Sequence, residues 1–227
     1  MTMYNTTDKS YRQARAIKAG TYRLPLVYQD FVDWLSRQFN VSVLDFACET
    51  KETSKGLKQQ LLYVIVERVS DAARLESDRG NDIRIAHEFV SYFSSLDAEA
   101  RTIDPLKSNV FALNTDPYPE VIIAYRPLEE IEKKIVDEKI KSECHAVIRK
   151  YGEVWTMSDN VIFFYTDQQV MENQINGEAK KLLQEILSIM KKYDEFGYFG
   201  THSLSFRFDS KESFDRDFQG NWYYYWK

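Results

Sequence analysis

The sequence predicts an α+β protein in which antiparallel sheets carry helices packed on one face. Two observations predict this class. Segments with apolar residues at helical spacing alternate with short β-branched segments along the 227-residue chain. The predicted elements also follow one order twice, helix, strand, strand, helix, strand, strand, over residues 26–126 and 128–227. We therefore predict a polar tail over 1–20 and two similar αββαββ halves, 21–126 and 127–227, which form an internal repeat packed as one globular unit.

The first half opens with an amphipathic helix. Residues 26–39, LVYQDFVDWLSRQF, place apolar side chains at helical spacing, and Pro25 just before them suits the first turn of a helix. The alternating segment 41–49 and the β-branched segment 59–69 predict two strands. The polar residues between the two segments favour a hairpin loop, so we expect these strands to be neighbours.

A second helix and two further strands complete this half. Asn81 or Asp82 is suited to cap a helix that continues to about Ser95, because a side-chain oxygen can accept a hydrogen bond from an unpaired N–H group of the first turn. The segments 109–115 and 119–126 indicate two strands joined by a turn at DPYP.

The second half begins with the clearest helix of the sequence, over residues 128–151, where an apolar stripe opposes a charged surface. The segments 153–158 and 160–166 predict a tight hairpin. Another helix is predicted over 168–193. It kinks or begins at Asn176-Gly177, because glycine is unfavourable in a helix interior.

Two strands are predicted near the C-terminus. Residues 202–210 alternate apolar and polar side chains, and residues 221–227, NWYYYWK, contain five aromatic side chains in a row. In a strand, successive rings point to opposite faces, so both faces would be covered. We expect this segment to close a core. The alternatives are that one of its faces contacts another protein, or that its rings stack on a small ligand.

Composition and charge limit the class of partner. The formal net charge is −5, so bulk charge favours neither nucleic acid nor an anionic membrane. The longest apolar run, LLYVIV, is far shorter than the roughly 20 residues of a membrane span. The two cysteines, Cys48 and Cys144, form no C-x-x-C pair, and the first 20 residues lack the apolar core of a signal peptide. We therefore expect a cytoplasmic protein that binds neither nucleic acid nor membranes.

The sequence offers few residues suited to catalysis. His87 opens an HEFVS segment that lacks the second histidine of a zinc-protease helix, and His202 lies in a glycine-rich turn. Cys144 and His145 are adjacent, so on a helix they point about 100° apart and cannot act as a nucleophile and its base. The glycine-rich phosphate-binding motifs and the calcium-loop pattern are missing from the sequence. We therefore predict no catalytic residue, no metal and no cofactor.

These observations favour a non-enzymatic protein-binding module, of the kind that immunity proteins and chaperones represent, which occludes a basic partner. The predicted contacts combine the acidic run near the C-terminus with two tyrosines of the aromatic segment: Asp209, Glu212, Asp215, Asp217, Tyr223 and Tyr225. One alternative is a small-molecule-binding or hydrolytic protein, with His87 or His202 beside an acid in a cleft between the halves. Another is a homodimer with the aromatic C-terminus at a symmetric interface.

Overall fold

The computed structural model describes most of the chain and shows two compact units. The described residues are 8–52, 58–96, 103–104, 106–107, 120–151, 154–158, 161–199 and 207–227. The units are Met1–Ile131 and Glu132–Lys227, here called unit 1 and unit 2. Each contains helices and one three-stranded sheet, so the predicted α+β class is confirmed. The limits proposed above for the tail and the two halves stay predictions.

Helices and strands alternate along both units. The helices of the described residues are α1 (Lys9–Lys18), α2 (Leu26–Phe39), α3 (Val69–Glu76), α4 (Arg79–Ser95), α5 (Leu128–Ile148), α6 (Asp167–Ile175), α7 (Glu178–Tyr193), α8 (Lys211–Phe218) and α9 (Trp222–Tyr225). The strands are β1 (Val43–Glu52), β2 (Lys58–Val66), β3 (Glu120–Pro127), β4 (Val154–Ser158), β5 (Val161–Phe164) and β6 (Arg207–Ser210). A 3-10 turn, Arg149–Tyr151, follows α5. Within the described ranges, no helix combines the length and the apolar character needed to cross a bilayer.

The sheet of unit 1 is mixed. β1 and β2 form an antiparallel hairpin, in which Val43 lies opposite Val66 and Glu52 opposite Lys58. β3 lies on the other side of β2 and runs parallel to it. The connection from β2 to β3 contains α3 and α4, and a parallel pair needs such a crossover. The prediction of an antiparallel sheet is therefore wrong for the β2–β3 pair.

The core of unit 1 lies between this sheet and helices α2 and α4. Phe31 of α2, Phe46 of β1 and Phe89 and Phe93 of α4 are each at most 1% exposed. Every pair among these four rings has a centroid distance between 4.8 and 6.4 Å. Such a cluster combines burial of apolar area with favourable ring-edge contacts. Part of the predicted polar tail joins this unit as well, because α1 buries Ala14 completely.

The sheet of unit 2 repeats this arrangement. β4 and β5 are antiparallel, and β5 and β6 are parallel across a crossover that contains α6 and α7. Ile162 and Phe164 of β5 pack in a core with α5 and α7, whereas Val161 and Phe163 pack against α8 and α9. Helices therefore cover both faces, and the prediction of helices on one face is wrong for unit 2.

The two units agree in more than sheet order. Among the described residues, both follow the order αββααβ, from α2 to β3 and from α5 to β6. Both hairpins shift register at the corresponding place, between Val43 and Asp45 and between Val154 and Thr156. In both units, two residues separate the two helices of the crossover.

A glutamate makes the same contact in both units. Glu129, in the first turn of the helix after β3, accepts a hydrogen bond of 2.9 Å from the N–H group of Val69, the first residue of α3. Glu212, in the first turn of the helix after β6, accepts one of 3.1 Å from the N–H group of Asp167, the first residue of α6. Each carboxylate satisfies an N–H group that has no partner within its own helix. These agreements support the internal repeat, which stays a prediction.

The helix α3 was not predicted from the sequence. The segment 59–69 was expected to be one strand, but β2 ends at Val66 and α3 begins at Val69. The side chain of Asp71 accepts a hydrogen bond of 3.2 Å from the N–H group of Arg68 at the start of α3. This local contact favours a helical turn over continued strand pairing.

The helix predicted over 168–193 is interrupted where the sequence suggested. It forms two helices, α6 and α7, and Gly177 between them has a φ of 71°. A positive φ is accessible to glycine at little cost, so the break is confirmed. The strand predicted over 109–115 and the first residues of the strand predicted over 202–210 lie outside the described residues.

Candidate partner-binding surface

The C-terminal segment of unit 2 forms two short helices after β6. Gln219 and Gly220 have left-handed φ angles of 55° and 66°, which end α8 and redirect the chain. The side chain of Asn221 then accepts a hydrogen bond of 2.9 Å from the N–H group of Tyr223 and caps α9. The strand predicted over 221–227 is therefore wrong, because local capping starts a helical turn at this point.

Aromatic side chains anchor α9 to one face of the unit 2 sheet. Phe214 of α8 is 2% exposed, and its ring centroid lies 4.3 Å from that of Trp222. Trp222 also stacks on Trp155 of β4 at 5.7 Å, with ring planes 9° apart. Tyr225 lies 5.2 Å from Phe163 of β5. No side chain of the segment is buried, so the expectation that it closes a core with both faces covered is wrong. Trp222 and Tyr225 pack against Phe163 and Phe214 from one side, and they point the same way because they are three residues apart on a helical turn.

Three further rings of α9 and its end are exposed to solvent, and Trp222 is partly exposed beside them. The exposed fractions are 66% for Tyr223, 52% for Tyr224, 40% for Trp226 and 37% for Trp222. The ammonium group of Lys227 lies 5.0 Å from the ring centroid of Tyr223. We call these four aromatic residues the aromatic surface. Single exposed apolar side chains are ordinary, whereas these four exposed rings lie within five consecutive residues and contact one another in two pairs, Trp222 with Trp226 and Tyr223 with Tyr224.

Two of the predicted acidic contacts are used within unit 2. The hydroxyl group of Tyr225 donates a hydrogen bond of 2.6 Å to Asp209. Burial, together with this hydrogen bond, raises the pKa of Tyr225. Glu212 is held at the first N–H group of α6, as described above. Both carboxylates therefore fix the conformation of the C-terminal segment.

The other two acidic residues are more exposed but are paired. Lys211 donates a hydrogen bond to Asp215, and Arg216 donates two hydrogen bonds of 3.0 Å to Asp217. The hydrogen bonds from Arg216 lower the pKa of Asp217, so its carboxyl group stays ionised. The side chains of Asp215 and Asp217 are 50% and 49% exposed. A partner can reach both carboxylates, although their charges are locally balanced.

The structure gives the two predicted tyrosines different roles. Of the two predicted tyrosines, Tyr223 belongs to the aromatic surface, whereas Tyr225 is an anchor. Sequence reasoning missed Tyr224 and Trp226, because strand spacing assigns them to the opposite face from Tyr223. The helix-capping residue Asn221 is the sequence feature that could have revealed the helical turn.

The residues considered for catalysis are not brought together. His87 is exposed on α4, and no carboxylate of the described residues is hydrogen-bonded to it, while His202 lies outside the described residues. Cys48 and Cys144 are buried free thiols. Burial raises the pKa of both, to about 11 for Cys144, so both are protonated at neutral pH. No group of three His, Cys, Asp or Glu side chains in the described part of the chain could hold a metal ion.

Unit 1 contains a buried ion cluster that sequence reasoning missed. The ammonium group of Lys107 is fully buried, 2.9 Å from one oxygen of Asp45 and 2.8 Å from an oxygen of Asp104. The other oxygen of Asp45 has no hydrogen-bond partner, and burial raises the pKa of Asp45 to about 6. Burial also raises the pKa of Asp104, but hydrogen bonds from Lys107 and Gln13 outweigh it and lower that pKa overall. The cluster ties Asp104 and Lys107 to β1 and α1.

The aromatic surface and the carboxylates beside it are thus the part of the predicted contact region that a partner can reach. The buried ion cluster has its charges turned inward, and the two thiols are enclosed. Comparison with known proteins adds no relative, since no family model, no curated protein and no solved structure matches the chain.

Proposed function

We propose that the chain is a non-enzymatic, cytoplasmic protein-binding module that occludes a basic surface of its partner with the aromatic surface. The observation that carries this proposal is the exposure of four rings, between 37% and 66%, on and just after a helix that contacts buried rings of the sheet and α8. Two buried cysteines without a disulfide are in keeping with a reducing compartment.

Exposed tyrosine and tryptophan side chains are well suited to protein recognition. They bury a large area at low cost in conformational entropy, and they are enriched among the residues that dominate binding energy. Tyr223 and Tyr224 are the most exposed rings of the aromatic surface. Because Trp222 also contacts buried rings, the surface is largely preorganised, which lowers the cost of association.

The aromatic surface would attract a basic partner by cation–ring contacts more than by its carboxylates. Residues 207–227 contain four acidic and four basic side chains, so the segment has no net charge. Cations nevertheless already lie over rings here, since Lys227 lies 5.0 Å from the Tyr223 centroid and Lys211 lies 5.4 Å from the Trp155 centroid. Arginine and lysine side chains of a partner can stack on the exposed rings in the same way.

The proposal is tested with the N-terminally tagged full chain, purified gently from its source cells and examined by native mass spectrometry. We expect a complex with a second, basic protein. Substituting Tyr223→Ala and Tyr224→Ala together should abolish it, because each hot-spot ring contributes about 2 kcal/mol or more to binding.

A matched control removes exposed apolar area elsewhere in unit 2. Met171 and Ile175 of α6 are 56% and 82% exposed, so their double alanine variant should keep the complex. If the complex survives the tyrosine substitutions, or if the wild-type chain is recovered alone, the proposal is wrong. A species of twice the chain mass that the tyrosine substitutions dissociate would instead support the symmetric homodimer.

A further inference from the structure

The first strand of each unit lies at a sheet edge, and the two edges differ. β1 and β4 are the edge strands, because the strand orders are β1-β2-β3 and β4-β5-β6. The chain itself covers the edge of β1, since the N–H group of Cys48 donates a hydrogen bond of 3.0 Å to the carbonyl oxygen of Leu106. Lys107, the next residue, lies 2.9 Å from the carboxylate of Asp45 in β1. This covering segment thus supplies one backbone acceptor and one side chain of opposite charge.

The same edge of the unit 2 sheet presents a backbone N–H group. In β1, the N–H groups of Phe46 and Cys48 point away from β2, because the former donates to the Asp45 carboxylate at 2.8 Å and the latter to the covering segment. Met157 follows Thr156 as Phe46 follows Asp45, directly after the register shift of each hairpin. The N–H group of Met157 therefore points to the edge of β4. Thr156 offers no carboxylate, and no side chain within the described ranges accepts from this N–H group.

The edge of β4 lacks the usual protection. Its sequence, VWTMS, contains neither a charged residue nor a proline, which commonly prevent an exposed edge from pairing with another chain. Among the loop and turn hydrogen bonds of the described chain, none involves the backbone of β4. The strand can therefore accept a further segment.

A small cavity lies along this edge. It has a volume of about 130 Å³ and lies between β4 and the end of α5. Residues 154–157 all line it. Because successive residues of a strand point to opposite faces, a cavity that contacts four in a row opens along the edge and not on one face. Sites for drug-sized ligands have volumes of about 300 Å³ or more, so this cavity suits a single side chain.

The cavity favours a carboxylate. Its lining contains Arg149, His145 and Thr156, and no acidic side chain of the described residues belongs to it. Lys150 lies 4.0 Å from Glu185, whereas Arg149 has no ion pair with any described residue. An arginine is always cationic, and the ring nitrogens of histidine and the hydroxyl group of threonine add hydrogen-bond donors. A carboxylate can accept from all three, and hydrogen bonds to ionised groups are the stronger ones.

We propose that the edge of β4 binds an extended segment of a partner protein that places an aspartate or glutamate in the cavity. A carbonyl group of the segment would accept from the N–H group of Met157, as the covering segment does for Cys48 in unit 1. The carboxylate would pair with Arg149, which reverses the signs of the Lys107–Asp45 pair. This is recognition by strand addition.

A second copy of the chain is a poor occupant of this edge. Two copies paired edge to edge would bring two cavities of like charge together, with Arg149 of each beside the other. The inference concerns a different surface from the proposed function and does not depend on it.

Nuclear magnetic resonance with a designed peptide tests the proposal. The probe has about eight residues, the length of an ordinary strand, with alternating valine and threonine and one central glutamate. The control peptide has lysine in place of glutamate. In the ¹⁵N-labelled full chain, the glutamate peptide should shift the amide signal of Met157 and slow its hydrogen exchange, because a hydrogen bond forms at this N–H group. We expect it to bind at least about tenfold more tightly than the lysine peptide.

Three substitutions test the two contacts separately. Arg149→Glu should reverse the preference, so that the lysine peptide binds more tightly, a result that loss of structure would not give. Lys150→Glu, the same charge change outside the cavity, should keep the preference for the glutamate peptide. Met157→Pro removes the N–H group at the edge and should abolish binding of both peptides. Its circular dichroism should be unchanged, because proline is tolerated on an edge strand where the N–H group faces solvent.

Several outcomes would overturn the inference. These are an unchanged Met157 signal with the glutamate peptide at about 1 mM, equal binding of both peptides, or an unreversed preference in the Arg149→Glu variant. Undiminished binding to a folded Met157→Pro variant would also contradict it, as would shifts confined to the aromatic surface. A dimer in native mass spectrometry that Met157→Pro converts to a monomer would identify a second copy as the occupant. If Met157→Pro does not fold, the reversal by Arg149→Glu decides.

Discussion

The buried ion cluster makes unit 1 respond to pH in a way that can be calculated. Burial raises the pKa of Asp45 from 3.8 to about 6. At 1.36 kcal/mol per pKa unit, this difference corresponds to about 3 kcal/mol. Because the folded-state pKa lies above the unfolded one, the native state takes up this proton first as the pH falls. The contribution of Asp45 to stability therefore decreases as the pH rises from about 4 to 6.

The substitution Asp45→Asn removes this titration. The free energy of unfolding of wild type minus that of the variant should fall by roughly 2 kcal/mol between pH 4 and pH 7.5, because part of the full difference is already lost at pH 4. Urea unfolding followed by far-UV circular dichroism measures both values. The buried asparagine keeps the shape of the site, so the variant should still fold.

Asp104→Asn is the matched control, because the two carboxylates share the ammonium group of Lys107. The pKa of Asp104 is lowered, so this carboxylate stabilises the fold above its unfolded pKa and the contribution is lost as the pH falls. The stability difference should then change with pH in the opposite direction. If Asp45→Asn gives a difference that is constant with pH, or that rises with pH, the assignment of a raised pKa to Asp45 is refuted.

Three further substitutions test the C-terminal segment by urea unfolding. Phe214→Ala should cost about 3–5 kcal/mol and weaken the near-UV circular dichroism of the tryptophans, because it opens a cavity among stacked rings. Tyr225→Phe should cost about 1 kcal/mol by removing the hydrogen bond to Asp209, and unchanged stability would contradict that bond. Glu212→Gln should cost about 0.5 kcal/mol through the lost charge at the start of α6, a loss that salt should reduce.

The helices were predictable where local features mark both ends. α2 matches its prediction at both limits because Pro25 precedes it and Asn40, with a φ of 52°, ends it. α3 was missed because eight residues give too short a pattern and it begins with the β-branched Val69. Strand direction was not predictable, because a hydrophobic pattern is the same for a strand paired in either direction. The helices between β2 and β3 decide that direction.

The candidate surface was predicted in position but not in detail. The run of aromatic residues indicated a contact surface at the C-terminus, and the predicted residue Tyr223 belongs to the aromatic surface. Asn221 caps a helical turn where a strand was predicted, and this turn decides which rings pack on the sheet and which are exposed. The buried ion cluster could not be predicted for a different reason. Lys107 and Asp45 are 62 positions apart in the sequence, and only the tertiary structure brings them into contact.

The two units share the same arrangement of strands and helices but differ in the segments that cover their sheets. Glu129 and Glu212 make the same helix-start contact, and both hairpins shift register at the same point, so the framework is alike. At corresponding positions just after that shift, unit 1 has the charged Asp45 and unit 2 has Thr156. In unit 1 the strand that carries Asp45 is contacted by α1 and tied to Lys107, whereas in unit 2 the rings of α8 and α9 cover the sheet. We therefore expect binding at the sheet faces to depend on the segments that cover them and not on the sheets themselves. Substitutions in the aromatic surface should change partner binding and leave the sheet and helices of unit 2 folded.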